Sequence, residues 1–503
     1  MATESGDEAA REMAVTARGL AKAAEILAGQ FALVATNVPY LLRRNQSADL
    51  RDFCERSAPD GANDLAIVFL QRILAFLSQS ACSAVVVPSA FLFLKSYVSV
   101  RDSHLREQSV RLISLLGPRA FRTISGEVVN VSLYLICRGF AGNADDIVWV
   151  DATAAEEKDS ALVNAPVVAG KRRGPLSLPD RRLTPPQDGN AASLSDCAIA
   201  YQGFVTGDDP RMKRSCWEVQ IGGRWVPFQS TTDRTIAFGG CGGFVDWSND
   251  GNDLARRQGV GAWLERGVSV SAMSDLPCAL YSGAVFDVNT CAVVPTDKAN
   301  LPALWAFCAS GEFSAAVRRI DTAIKVTTAS FVKVAFDLAH WQKVADEKYP
   351  HGLPKPFSSD PTQWLFDGHP KRSDNPLHVA VARLLGYQWP RQTGSSFPHC
   401  PALGPDELDE EGDLTAEDAE ERGGRDPQSE TPLRPSASSA VNASPLIDQD
   451  GIVCIPSVRG EEPAAERLRR LLAKAYGKAW TPTKERELIA ATGSSAADLD
   501  EWL

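Results

Sequence analysis

Apolar positions recur along the chain as far as Arg138 in two alternating rhythms. Met13, Ala17, Leu20, Ala24 and Leu27 share one helical face, and Gly29 supplies a stop. The apolar run Phe31–Thr36 then has the length of a buried strand. The same pairing repeats. Asn63 is placed to cap a helix from Asp64 to Gln79 with Leu65, Phe69, Ile73 and Phe76 inward, and Ala84–Val87 reads as the next buried strand. A third helix over Val98–Gln108 leads to Leu112–Leu116, and Val128–Ile136 has the pattern of a last long strand. Helix and strand in alternation predict an α/β sheet here.

From Phe140 to Pro390 the rhythm breaks into short strands, many glycines and tryptophans, and irregular connections, which predicts an α+β texture. Thr153–Lys158 and Lys171–Asn190 read as surface loops. Residues 396–446 join an acid run, ten acids and no base between Asp406 and Glu421, to a Pro/Ser/Ala tract. Such a composition buries too little apolar surface to fold, so a linker is expected. Beyond it, Ala464–Tyr476 is an amphipathic helix (Leu468, Leu471, Leu472), with two more expected over Pro482–Thr492 and Ser495–Leu503. The expected domains are therefore 1–139, 140–395, the linker 396–446 and a small helical region 447–503.

Composition narrows the function classes. The chain of 503 residues, 44% of them hydrophobic, is long enough for several cores. No stretch reaches about 18 apolar residues, and the start MATESGDEAARE carries acids where a secretory signal has basic and then apolar residues, so a cytoplasmic protein without a membrane span is expected. A net charge of −11 argues against a nucleic-acid partner only until the acid run is set aside. The remainder is close to neutral, so any basic face must be local. Eleven scattered cysteines without a C-x-x-C beside paired histidines read as buried thiols of a reducing compartment, and six histidines lack metal-ligand spacing. No metal site is expected.

The chemistry-bearing residues are Asn37-Val38-Pro39-Tyr40, directly after the apolar strand. At the carboxyl end of a parallel strand, side chains face the crevice where α/β sheets bind ligands. An enzyme acting on the exocyclic amine of a base must extrude the base, accept hydrogen bonds from its amino group and hold the ring by stacking. The amide oxygen of Asn37 and the carbonyl of Val38 can accept the two N–H bonds. Pro39 stiffens the turn, and Tyr40 offers an aromatic face, on which a stacked base gains about 1–3 kcal/mol.

On these residues the chain resembles the gamma-class adenine-N6 DNA methyltransferases of the large restriction-modification and phage-exclusion (BREX) kind, whose catalytic tetrapeptide is N-P-P-Y or N-V-P-Y. The resemblance continues in order through Asn63-Asp64-Leu65-Ala66, Val85-Val86-Val87-Pro88, Gly126-Glu127-Val128-Val129, Thr206-Gly207-Asp208, Trp217-Glu218-Val219, Leu301-Pro302-Ala303-Leu304-Trp305, Asp360-Pro361-Thr362-Gln363-Trp364 and Ala382-Arg383-Leu384-Leu385-Gly386-Tyr387. It implies a partial Rossmann-like sheet, then a target-recognition region over 140–395 that meets double-stranded DNA. It also implies that Asn37, Val38, Pro39 and Tyr40 bind a flipped adenine, and that Asp64 frames the pocket of the methyl donor, S-adenosylmethionine. As a first-turn acid, Asp64 also complements the helix dipole, and Glu127 reads equally as a surface carboxylate at a strand entry.

In the family, the aromatic-x-Gly-x-Gly donor turn and a second-strand acid both lie upstream of the N-P-P-Y strand. Only about thirty residues precede Asn37 here, and they read as helix. Gly222-Gly223 and Gly239–Gly243 read as turns. The resemblance therefore implies a piece without the main donor-binding motif, completed by a separate upstream methyltransferase half that pairs with the strand Phe31–Thr36. Arg211, Lys213 and Arg214, near Trp217 and Trp225, are candidate DNA contacts, as are Lys171-Arg172-Arg173 and Arg181-Arg182 on the expected loop. A second reading is a catalytically silent DNA-binding remnant of such an enzyme.

Overall fold

The computed structural model describes residues 2–118, 120, 130–139, 145–186, 192–219, 224–321, 323–393 and 452–503. The expected linker and Glu127 lie outside the described residues. The chain divides into two compact units, Met1–Asn190 with Arg318–Ile324, and Ala191–Val317 with Lys325–Leu503.

In the first unit, helix α1 (Ala2–Ala28) leads into β1 (Phe31–Asn37), followed by α2 (Ala48–Ser57), α3 (Leu65–Phe76), β2 (Leu77–Pro88), α4 (Val98–Glu107), β3 (Ser109–Gly117), β4 (Val131–Cys137), β5 (Asp146–Asp151), α5 (Lys158–Asn164), β6 (Val167–Lys171) and α6 (Arg173–Ser177). Helix α3 forms because its inward row, Ala66, Ile67, Leu70 and Ile73, is fully buried. Its N-cap is Asp64 rather than the expected Asn63: the Asp64 backbone is extended and its carboxylate accepts from Ala66 N–H at 3.0 Å. The helix also stops earlier than its apolar period suggests, and β2 begins at Leu77 and runs for 12 residues. Ser80, with φ 61°, marks an irregular start, and regular burial alternation follows from Ala81 to Val87.

The α/β class expected from the pattern is what the structure shows. The six strands are ordered β1-β2-β4-β3-β5-β6. β1 and β2 are parallel, β4 runs antiparallel to both β2 and β3, and β5 is parallel to β3. β1 occupies one edge, bonded to β2 on one side, with Leu33 64% exposed. The sheet continues past the expected boundary at 139, because Val148–Asp151 pair with Leu112–Leu115 and β6 closes the far edge. Trp149 anchors this extension: it is buried and its indole N–H donates to Leu183 O at 3.0 Å.

That extension removes most of the cations expected to face DNA from the stretch Lys171–Arg182. Lys171 pairs with Asp146 at 2.7 Å, Arg172 with Asp145 at 2.8 Å, Arg181 with Asp102 at 2.6 Å and Arg182 with Asp180 at 3.8 Å. Lys171 ends β6 and Arg173–Ser177 form a short helix, while residues 178–186 are irregular, as the loop expectation has it. Arg101 beneath it is fully buried, its guanidinium donating to the carbonyls of Phe91, Leu94, Asp180 and Arg181.

One cysteine expectation is corrected. The antiparallel register sets Cys82 of β2 opposite Cys137 of β4, and the two form a disulfide. The other eight described cysteines are thiols, six of them buried.

The second unit holds two four-stranded sheets. One is ordered β13-β9-β10-β8, from β8 (Lys213–Ser215), β9 (Trp225–Gln229), β10 (Gly243–Asp246) and β13 (Val285–Phe286); the other is β12-β11-β14-β7, from β7 (Ala198–Gln202), β11 (Gly267–Ser271), β12 (Cys278–Tyr281) and β14 (Thr290–Pro295). Phe204, Phe228, Trp247, Trp263, Tyr281 and Phe286 fill the core between strands of both. The turn α7 (Asp209–Met212) precedes β8. Helices α8 (Leu301–Cys308), α9 (Glu312–Ile320), α10 (Leu338–Lys348) and α11 (Pro376–Leu384) follow.

The last helices, α12 (Ala464–Tyr476), α13 (Pro482–Ala491) and α14 (Leu499–Trp502), share one apolar core with Leu377, Ala380 and Leu384 of α11. The region expected to be a separate small domain thus packs on α11. No described helix is long and apolar enough to cross a membrane, and no three potential metal ligands cluster among the described residues.

Candidate functional site

The tetrapeptide begins at the carboxyl tip of β1. Asn37 stands in register opposite Val86 of the parallel strand β2. The chain then turns: Asn37 and Pro39 are exposed, Val38 is buried and Tyr40 is half-buried. Tyr40 reaches back over the tip, its hydroxyl 3.4 Å from Asn37 Oδ1 and 3.3 Å from Val86 O, so one phenolic hydrogen serves two acceptors. Tyr40 packs against Leu116, Val131 and Ala152.

The segment after Tyr40 is held by the start of α3. Leu65 N–H donates to Leu41 O at 3.0 Å, Arg43 N–H donates to Asn63 O at 2.9 Å, and Leu42 and Asp64 bridge antiparallel. Buried Gln46 adds a third tie, donating through Nε2 to Leu41 O at 3.1 Å. These contacts join positions far apart in sequence, and the sequence pattern gave no sign of Gln46 or of the Val86 carbonyl.

Burial, with the nearby Asp64 carboxylate second, pushes the Tyr40 phenol up to about 12. Tyr40 therefore stays a neutral donor across the physiological range. Asp64 is 5% exposed, and burial raises its carboxyl above the usual carboxylate range despite the hydrogen bond from Ala66 N–H. It lies beside the tetrapeptide but spends its carboxylate on the helix start. The residues present at this tip do not by themselves make a site for S-adenosylmethionine.

What the tip can do is accept and stack. Asn37 presents an amide oxygen at an exposed position, Val38 places a carbonyl next to it, and Tyr40 supplies an aromatic surface. An exocyclic amine offers two N–H donors, and two neighbouring acceptors with a ring beside them match that demand.

In the second unit the expected cations part company. Arg211 is exposed, with Asp208 at 3.7 Å. Lys213 turns inward: its ammonium is 3.1 Å from Asp209 and 3.0 Å from buried Asp287, and 5.2 Å from the Phe228 ring. Strand alternation explains the split, since Lys213 opposes Val245 and shares its face with the core while Arg214 points to the other side. Arg214 lies over the Trp225 indole at 5.6 Å. Of the trio, Arg211 is exposed and Arg214 is half-buried on the face opposite Lys213.

In sequence the chain is similar to adenine-specific methyltransferases. BrxX of Escherichia coli O9:H4 (strain HS) is 31% identical over 159 residues, which are 31% of this chain and 13% of that protein. PglX of Lacticaseibacillus casei (strain Zhang) is 24% identical over 225 residues, 41% of this chain and 18% of that protein. The chain thus spans under a fifth of the length of these curated relatives. No family model matches it. Among solved structures it is similar to the Type IIL restriction-modification enzyme MmeI in complex with DNA, with a TM-score of 0.41 and 10% identity over 64% of this chain and 50% of that one. A nuclease-deletion mutant of the Type ISP enzyme LlaGI gives 0.38 and 9% over 64% and 35%.

Proposed function

We propose that the chain supplies the base-binding and DNA-reading parts of a DNA adenine-N6 methyltransferase of a restriction-modification or phage-defence system. The observation that carries this reading is the exposed Asn37 amide at the tip of β1 with the Tyr40 hydroxyl 3.4 Å away. Asn37 Oδ1 and the Val38 carbonyl accept the two N–H bonds of a flipped adenine, which directs the nitrogen lone pair out of the ring plane. Pro39 fixes the turn, and Tyr40 holds the ring by stacking. The sequence similarity to BrxX and PglX supports the same class.

S-adenosylmethionine is the methyl donor in this reading, with Asp64 at the margin of its pocket. The remaining donor-binding groups come from a separate methyltransferase half, whose strand extends the sheet along the open side of β1. Among the described residues no strand pairs with the open side of β1, as strand addition needs. In the second unit, Arg211 and Arg214 face double-stranded DNA, with Lys213 bracing them from inside.

The test is transfer of a tritiated methyl group to duplex DNA after reconstitution with a chain carrying donor-binding strands. Activity lost in Asn37→Ala is the expected result. The alternative, a catalytically silent DNA binder, draws on the Tyr40 hydroxyl already resting against the Asn37 amide oxygen. Duplex binding without methyl transfer in the reconstituted complex would favour it.

A further inference from the structure

The cations of the two units are handled differently. In the first unit Arg172 and Arg181 each meet a carboxylate at 2.8 Å or closer, which neutralises them. In the second, two guanidinium groups lie over one indole: Arg214 is 5.6 Å and Arg224 5.0 Å from the centre of the Trp225 ring. Asp246 at 3.4 Å from Arg224 and Glu218, whose carboxylate interacts with Arg214, offset part of this positive charge. Asp246 itself is held by the Ser248 N–H at 3.0 Å and hydroxyl at 2.6 Å.

The arrangement is fixed from beneath. β8 and β9 flank β10, with Arg214 opposite Phe244, Phe244 opposite Pro227, and Asp246 opposite Trp225. Arg214, Trp225 and Asp246 therefore project from the sheet face opposite to the core residues Val226 and Val245. Arg214 is further oriented by donating to Pro210 O and Lys213 O, both at 2.6 Å. Stacking on an indole orients a guanidinium without cancelling its charge, and leaves N–H edges open to an acceptor.

We infer that Arg214, Trp225 and Arg224 form a clamp that takes one or two backbone phosphates of duplex DNA. A phosphate adds negative charge beside two guanidiniums held over one indole, and its oxygens match their forked donors. This rests on the reading of the second unit as the DNA-facing part, and it adds Arg224 and Trp225 to the contact surface.

Binding of the full chain to a fluorescein-labelled mixed-sequence duplex, followed by anisotropy across a salt series, tests the clamp. Arg214→Gln with Arg224→Gln is expected to lower the slope of log affinity against log salt by about 1.8, and Arg224→Gln alone by about 0.9. Arg224 is 60% exposed in its side chain, so the single variant folds, and circular dichroism melts check both. An unchanged slope in both variants overturns the clamp while leaving the DNA reading intact. No duplex binding by the wild-type chain overturns both, and equal loss of DNA and heparin binding with the slopes above upholds the clamp as a phosphate-type anion site.

Discussion

Asn37 and Tyr40 are joined through the same strand tip: one is the last residue of β1 and the other returns its hydroxyl to within 3.4 Å of the first one's amide oxygen. The phenol also touches Val86 O at 3.3 Å, so the hydroxyl orients the ring and the ring face is what a base would meet. Tyr40→Phe is expected to keep base binding, and Tyr40→Ala to lose about 1–3 kcal/mol of it. A duplex with 2-aminopurine at the target position reads this directly. Equal fluorescence changes in both variants would show that stacking on Tyr40 contributes nothing.

Asp64 is predicted to act first on stability. Its carboxylate caps α3, and Asp64→Ala is expected to cost about 1 kcal/mol in urea denaturation. Asp64→Asn keeps an oxygen for the Ala66 N–H and is expected to recover most of that. If both variants unfold like wild type yet a reconstituted enzyme loses donor affinity, Asp64 belongs to the donor pocket alone.

Lys213 separates support from contact. Its ammonium faces Asp287, whose side chain is 3% exposed, and removing it leaves that carboxylate its bonds from the Ser230 hydroxyl and Asn289 N–H but no cation. Lys213→Met is expected to destabilise the second unit by about 3 kcal/mol, as broken buried pairs do. Lys213→Met with Asp287→Asn should regain a good part of this. The salt slope of DNA binding in any folded Lys213 variant should match wild type.

His104 gives the first unit a pH dependence of known sign. The ring is 2% exposed, Nδ1 lies 3.2 Å from the Tyr134 hydroxyl, and Nε2 has no partner among the described residues. Burial pushes its pKa down to about 3 from the usual 6.5. The folded state thus refuses a proton that the unfolded chain accepts below 6.5. The contribution of the neutral ring is complete above pH 6.5 and is lost as pH falls toward 3, by about 1.4 kcal/mol per pH unit. Stability measured between pH 7 and 4 should fall more steeply for wild type than for His104→Leu, and parallel curves would contradict this.

Local pattern revealed what depends on local chemistry. The strand before Asn37, the helix at Val98 and the helix Ala464–Tyr476 stand where spacing puts them, but the strand, expected to be buried, has no buried residue because it is the sheet edge. Pairing did not show. Nothing in Asp146–Lys171 tells that it lengthens the first sheet, since that depends on which strand Val148 lies against. The Cys82–Cys137 disulfide depends on register in the same way. Helix α3 ends three residues before its apolar period does, because Leu77 continues that period while its backbone is already extended. At the site, the tetrapeptide was legible as chemistry, whereas the Val86 and Gln46 contacts that orient it come from other parts of the chain.

Helix α1 has water on every side from Ala10 through Ala28, including Met13, Leu20 and Leu27. Apart from the Arg72 guanidinium donating to Leu27 O at 3.2 Å near its end, its persistence depends on its own backbone bonds and on local pairs such as Lys22 with Glu25 at 2.8 Å. Heating should therefore unwind this segment gradually, well before the cooperative melting of the sheet that follows it. Ellipticity would drift downward while the tryptophan signal stays flat.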